Sequence, residues 1–329
     1  MMYICEFIVV FTFILKNYFV MHCDFSIFYC FFYNKNYRYG ELIMSIFELS
    51  KFTPIRLAIF MSVEIVGLSA IKLTVSSLFP ADFVWLHNWA MEVMMLIFMA
   101  SVLGIYFALS VYIERRKPIE LDFVRLPSCF VAGSSIGIGL FGAVCLFLIC
   151  LHVATVSESK YTPEFLLNFI FIITGAICEE VLFRGIIFRI VEYSLGTLPS
   201  ILLSATFFGV AHAQNHGASV ISTVAIGVEA GILLALAYSG TRNLRMPIGL
   251  HFGWNYAEGP IFGALVSGRR WEGFMHMQTT GPEILTGGIF GPEASIISIS
   301  LSLVVAIPFL WFTRRRGYWV DARLKWRID

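Results

Sequence analysis

Apolar residues in this chain come in long, nearly uncharged runs, not in the strict alternation of half-buried strands. From residue 44 onward the runs fall near 57–79, 84–112, 129–153, 164–190, 198–213, 217–238, 247–266 and 294–313. Each is roughly 16–29 residues long, and a helix needs about 20 to cross a bilayer. The pattern predicts an all-α, polytopic helical membrane protein with about eight transmembrane helices. Basic residues then set the expected orientation. Lys51 and Arg56 precede the first run, and Arg115, Arg116 and Lys117 follow the second. Arg184 and Arg189 close the fourth, Arg242 and Arg245 follow the sixth, and Arg314, Arg315 and Arg316 follow the eighth. If the helices alternate, all of these share one side, and the positive-inside rule puts that side and both termini in the cytoplasm. Arg269 and Arg270 are the exception.

Composition agrees with this class. The chain is 58% hydrophobic and 14% charged over 329 residues, too little charge to cover a soluble domain of that length. A net charge of +1 gives no reason to expect a nucleic-acid partner. The seven cysteines show neither metal-type CxxC spacing nor a secreted framework, so they are expected to act as small buried hydrophobes. Residues 1–43 lack alanine and are crowded with Phe, Tyr, Ile, Asn and Lys. They are expected to be either translated DNA upstream of a true start at Met44 or an extra hydrophobic segment. Residues 44–127 form a first transmembrane part, 128–266 the core, and 294–329 the last helix with a basic tail. Residues 267–293, rich in Gly and Pro, are expected to be a plain external loop, with a lid-like or re-entrant loop as the rival reading.

Three short groups interrupt the apolar runs. They are Glu179-Glu180-Val181-Leu182-Phe183-Arg184, Phe208-Gly209-Val210-Ala211-His212 and His251-Phe252-Gly253-Trp254-Asn255. An ionisable group at membrane depth is costly and by default marks a functional site facing a partner or a wet cavity. Neighbouring helical residues point about 100° apart, so Glu179 and Glu180 do not share a face. Glu180 and Arg184 are spaced for an ion pair, which leaves Glu179 free to face a cavity. His251 and Asn255, also four apart, share a face and could bind a carbonyl or an oxyanion. Taken singly, His212 also fits a hydrogen-bonded core histidine, and His251 with Asn255 fits the polar contacts that membrane helices use to associate.

EExxxR, FxxxH and HxxxN on successive membrane helices resemble the CPBP family of intramembrane proteases, which includes CAAX endopeptidases and bacteriocin-processing enzymes. The resemblance covers roughly residues 165–260, on helices four, five and seven, and the stretch 287–293 also looks like bacterial members. It implies an intramembrane endopeptidase that cleaves a membrane-embedded protein or peptide, in a bacterial cell membrane. In that scheme Glu179 is the general base, His212 holds the water, and His251 and Asn255 stabilise the oxyanion. Glu180, Arg184 and Phe208 support them. Members are often called metalloproteases, and zinc, if used, would fall to Glu179, His212 and His251. No HExxH is present, and a glutamate-activated water needs no metal, so no cofactor is the favoured expectation. The alternative is a catalytically inert scaffold or bacteriocin self-immunity protein of the same fold. A proton-relay transporter would require two similar halves with broken helices, and none is visible.

Overall fold

The computed structural model describes residues 53–64, 84–122, 126–159 and 165–325. The first 43 residues and most of the first predicted run lie outside them. Seven of the predicted runs are helices. α1 covers 53–64 and overlaps the start of the first run. α2 is Val84–Ala108 continued by the π-helical Leu109–Ile113, and α3 is Leu126–Cys150. α4 begins as Phe165–Glu180, loosens into the π-helical Val181–Phe188 and ends as Arg189–Leu195. α5 is Thr197–Ala211. α6 joins Val220–Ile226, the π-helical Gly227–Ile232 and Leu233–Thr241. α7 is Arg245–Tyr256 with the π-helical Ala257–Ile261, a four-residue α8 is Glu283–Thr286, and α9 is Ile296–Arg315.

Among the described residues, four stretches are long and apolar enough to cross a membrane: Glu92–Ile113, Ser128–Cys150, Val220–Thr241 and Ile296–Arg315. α7, at 245–261, is shorter and more polar than these, and α4 carries Glu179, Glu180 and Arg184 within its apolar stretch. Without a hydrophobic drive between helices in lipid, close association needs small residues that let backbones approach. α3 and α7 have them in register. Gly133 and Gly137 of α3 face the backbone of Met246, Leu250 and Trp254, and Gly249 and Gly253 of α7 face Phe130 and Ser134. A Cβ at Gly137 would lie 2.2 Å from the Leu250 carbonyl oxygen, so no side chain fits there.

Several of the basic residues expected to share one side are joined in one region; Lys51 lies outside the described residues. Arg189 of α4 pairs with Glu114 at 2.9 Å, Arg116 with Glu114 at 2.6 Å, and Arg56 lies 3.6 Å from Glu114. Arg116 also pairs with Glu120 at 2.7 Å, and the Tyr106 hydroxyl donates to Glu120. Arg242 joins Glu192 to the Tyr318 carbonyl, and Arg245 donates to the Asp122 carbonyl at 2.6 Å. Arg184 departs from the group and lies fully buried in the core. At the other end, β1 (Ala154–Glu158) pairs antiparallel with β4 (Met275–Thr279), Ala154 opposite Thr279. Among the described cysteines none is in a disulfide, and Cys145 is buried as a small hydrophobe would be.

Candidate active site

Glu179 and Glu180 end the regular part of α4, where one helical step sends them into different surroundings. The Glu180 carboxylate is fully buried: its Oε1 accepts from Arg184 Nη1 at 2.9 Å. The same oxygen lies 3.0 Å from His251 Nδ1. Arg184 is anchored further by donating to the Gly231 carbonyl at 3.0 Å, in the π-helical stretch of α6, and its guanidinium lies 4.7 Å from the Phe208 ring centroid. π-helical turns displace carbonyls from the regular ladder and concentrate at functional sites, and here one supplies an acceptor to a buried cation. The Glu179 side chain remains 30% exposed, and its Oε2 has no hydrogen-bond partner among the described residues.

Both histidines converge on that oxygen. His212 Nε2 and His251 Nε2 each lie 3.9 Å from Glu179 Oε2. His212 caps α5 and lies far along its own helix, whereas His251 is near the start of α7, so their meeting needs an explanation. Part of it is that the His212 ring folds back along α5. Its Nδ1 lies 2.8 Å from the Phe208 carbonyl oxygen, and the two rings are 4.7 Å apart. Phe208 also lies edge-on to His251 at 5.9 Å, filling the space between the two imidazoles. Each histidine is therefore oriented through Nδ1 and offers Nε2 to Glu179. Asn255, one turn beyond His251, lines the same cavity.

That cavity has a volume of about 600 Å³, and Glu179, His212, His251 and Asn255 share its wall. Ser267–Trp271 and Glu293 form another wall, so residues 267–293 are not the plain surface loop expected from sequence. The segment is held by β4, by the pairing of β2 (Leu265–Val266) with β3 (Arg269–Arg270), and by a tight turn at Gly268. Gly268 has φ +79° and its Cβ position would fall 1.7 Å from the His216 carbonyl oxygen, so only glycine fits. The loop composition suggested solvent, but strand pairing with residues more than a hundred positions earlier turns it inward.

Two buried carboxylates, Glu229 and Glu258, escaped the sequence reading, and Glu293, which closes the 287–293 stretch, is buried in the cavity wall. Glu229 on α6 accepts from Ser302 Oγ at 3.0 Å, and Glu258 on α7 accepts from Trp254 Nε1 at 3.1 Å. The signal was available, since Glu229 is the one charged residue in the run 217–238 and Glu258 the one in 247–266.

The donor set can be tested against zinc. Tetrahedral zinc with bonds of roughly 2.0–2.2 Å holds its ligand atoms about 3.4 Å apart. Here Glu179 is 3.9 Å from each imidazole nitrogen, and among the described residues no group of three His, Cys, Asp or Glu side chains could hold a metal ion. As arranged, the residues do not fit the metal.

Residues 161–257 match the family described as type II CAAX prenyl endopeptidase Rce1-like. The match spans all three motifs and covers less than half of the chain, which is similar to the family over those residues. No curated protein and no solved structure matches the chain.

Proposed function

We propose that the protein is an intramembrane endopeptidase that hydrolyses a peptide bond of a membrane-associated protein or peptide with a water activated by Glu179. The observation that supports this best is the 3.9 Å spacing of Glu179 Oε2 from both His212 Nε2 and His251 Nε2. It is too long for a direct hydrogen bond, yet one water at about 2.8 Å can reach the carboxylate and an imidazole together. Glu179 takes a proton from that water while its oxygen attacks the carbonyl carbon. His212 holds the water through Nε2. The oxyanion is met by the Asn255 amide and by His251 in its doubly protonated form, which donates from Nδ1 to Glu180 and from Nε2 to the substrate. The proton on Glu179 then passes to the leaving nitrogen as the C–N bond breaks, giving a carboxylic acid and an amine. No step requires a metal.

Glu180 and Arg184 are positioning residues in this reading: their pair fixes the α4 register and the ring plane of His251. The test compares membrane-peptide profiles of cells expressing the wild-type chain, Glu179→Gln or no gene. A cleavage product present with the wild type and absent from both others is expected. Identical profiles for wild type and Glu179→Gln would overturn the proposal and favour an inert member of the fold.

A further inference from the structure

A second cavity, of about 360 Å³, opens at the arginine-rich end, away from the cavity of Glu179. Its wall carries Arg56 from α1, Arg116 from the turn after α2, Arg189 from α4 and Arg323 from the C-terminal tail, with Glu114 and Glu192. Four guanidinium groups thus face two carboxylates, and both carboxylates are already engaged. Glu114 accepts from Arg189 on Oε1 and from Arg116 on Oε2, each within 3 Å. Glu192 holds Arg242 and the Thr197 hydroxyl.

Positive charge is left over, and parts of it are buried without a partner. The Arg56 side chain is 3% exposed, and among the described residues its Nε makes no hydrogen bond and lies 3.6 Å from Glu114. Arg189 Nη2 is likewise buried and unpaired among the described residues. Burial, partly offset by Glu114, lowers Arg56 to about 10, and Arg189 and Arg116 push the same way. Arg323 is exposed at the mouth, where its Nε donates to the Tyr193 carbonyl at 3.1 Å and no carboxylate pairs with it among the described residues. The Arg323 and Arg56 guanidiniums both lie over the Tyr193 ring, at 5.7 and 5.5 Å.

Guanidinium groups grip phosphate oxygens in forks and tolerate partial burial better than ammonium groups, so converging arginines recognise phosphate well. The position fits too. Glu114 follows Ile113, the last residue of a helix long enough to cross a membrane, which sets the cavity at the depth of lipid headgroups. Basic pockets between membrane helices are recurrent headgroup sites.

We propose that this cavity binds a phosphate group, supplied either by an anionic phospholipid headgroup or by a soluble phosphate compound. Arg323 closes on the ligand from outside, and Arg56 and Arg189 receive it from within, while Arg116 is taken up by Glu114 and Glu120. The ligand ties the C-terminal tail to α1 and α4.

The test uses the full chain purified in phosphate-free detergent, with thermal unfolding followed against inorganic phosphate, dioctanoyl phosphatidylglycerol and dioctanoyl phosphatidylcholine. Saturable stabilisation by phosphatidylglycerol and not by phosphatidylcholine is expected, as for any ligand that binds only the folded form. Arg323→Ala should weaken it at least ~10-fold, the loss of one charged hydrogen-bonding group. Should that variant misfold, Arg323→Gln serves the same purpose. Arg314→Ala removes an equal charge outside the cavity and should change nothing. If inorganic phosphate saturates at lower concentration than the lipid, the ligand is soluble; if it needs far more, the ligand is the headgroup. The proposal falls if no phosphate compound stabilises the chain saturably, if phosphatidylcholine acts equally, or if Arg314→Ala weakens binding as much as Arg323→Ala.

Discussion

The two charged centres of this molecule use the same side chains to opposite ends. At the arginine-rich end, Glu114 and Glu120 are buried and each takes hydrogen bonds from arginine, with Tyr106 adding one to Glu120. At the cavity, Glu180 is fully buried, with Oε1 held by Arg184 and His251 and Oε2 unpaired among the described residues, whereas Glu179 is 30% exposed, lines the cavity and aims its unbonded Oε2 at two imidazoles. A carboxylate sealed among its arginine and imidazole partners is spent on structure. One that opens onto a cavity with a lone pair unfilled is available to a water or a substrate. The contrast runs between Glu114 and Glu179, and also between two residues adjacent in sequence.

The largest expected effect breaks that contrast at its open end. Glu179→Gln keeps the shape of the side chain and removes its basicity, so turnover should fall by roughly two to four orders of magnitude. Thermal stability should stay near that of the wild type. The readout is the rate of substrate cleavage per folded molecule. Full activity in this variant, with activity abolished and folding kept in Glu180→Gln, would reverse the assignment of the two glutamates.

Glu180→Gln should show the opposite balance. It leaves the buried Arg184 guanidinium without a counter-charge, and breaking such a pair typically costs about 3–5 kcal/mol. Expression and unfolding temperature in detergent should fall first. Because Glu180 also orients His251, turnover per folded molecule should drop as well, by roughly 10–100-fold, the usual consequence of losing an outer partner of a working histidine. A variant that unfolds earlier yet cleaves at the wild-type rate would separate the ion pair from catalysis.

How much of this was legible in sequence follows from range. Helix positions depend on local apolar runs, and seven predicted runs match helices to within a few residues. The split between Glu179 and Glu180 depends on one helical step and was equally local. The contact of Glu180 with His251 joins residues 71 positions apart and was not readable. Nor was the inward turn of 267–293, which depends on β4 finding β1, or the basic cavity, assembled from four separate stretches. Glu229 and Glu258 were different: each stood alone in an apolar run and was passed over because it belonged to no recognised group.

The closed centre can be probed with acid. Burial pushes Glu114 and Glu120 up, but Arg189 and Arg116 for Glu114, and Arg116 for Glu120, outweigh it and hold both below the usual 4.5. A carboxylate depressed in the folded state contributes stability that is present above its unfolded value and lost as pH falls through the folded one. Unfolding temperature should therefore hold from neutrality to about pH 5 and decline below 4.5. Glu114→Gln should start lower and lose less over the same interval. An equal acid-induced loss in both proteins would show that this network does not carry the acid sensitivity.

The smallest expected effect is none at all, and it bears on the open centre. If Glu179 acts on water directly, purified protein should hold no stoichiometric zinc, and cleavage should persist in a strong chelator. The reason is geometric: two spacings of 3.9 Å suit a shared water and are wider than the edges of a zinc tetrahedron. The Nδ1 contacts of His212 and His251 would orient these rings equally well toward a metal, so ring orientation alone does not decide the matter. Metal content by mass spectrometry, measured beside activity before and after chelation, does decide it. Activity lost in chelator and restored by zinc would make Glu179, His212 and His251 ligands, and the open carboxylate would then be a metal-binding group in place of a base.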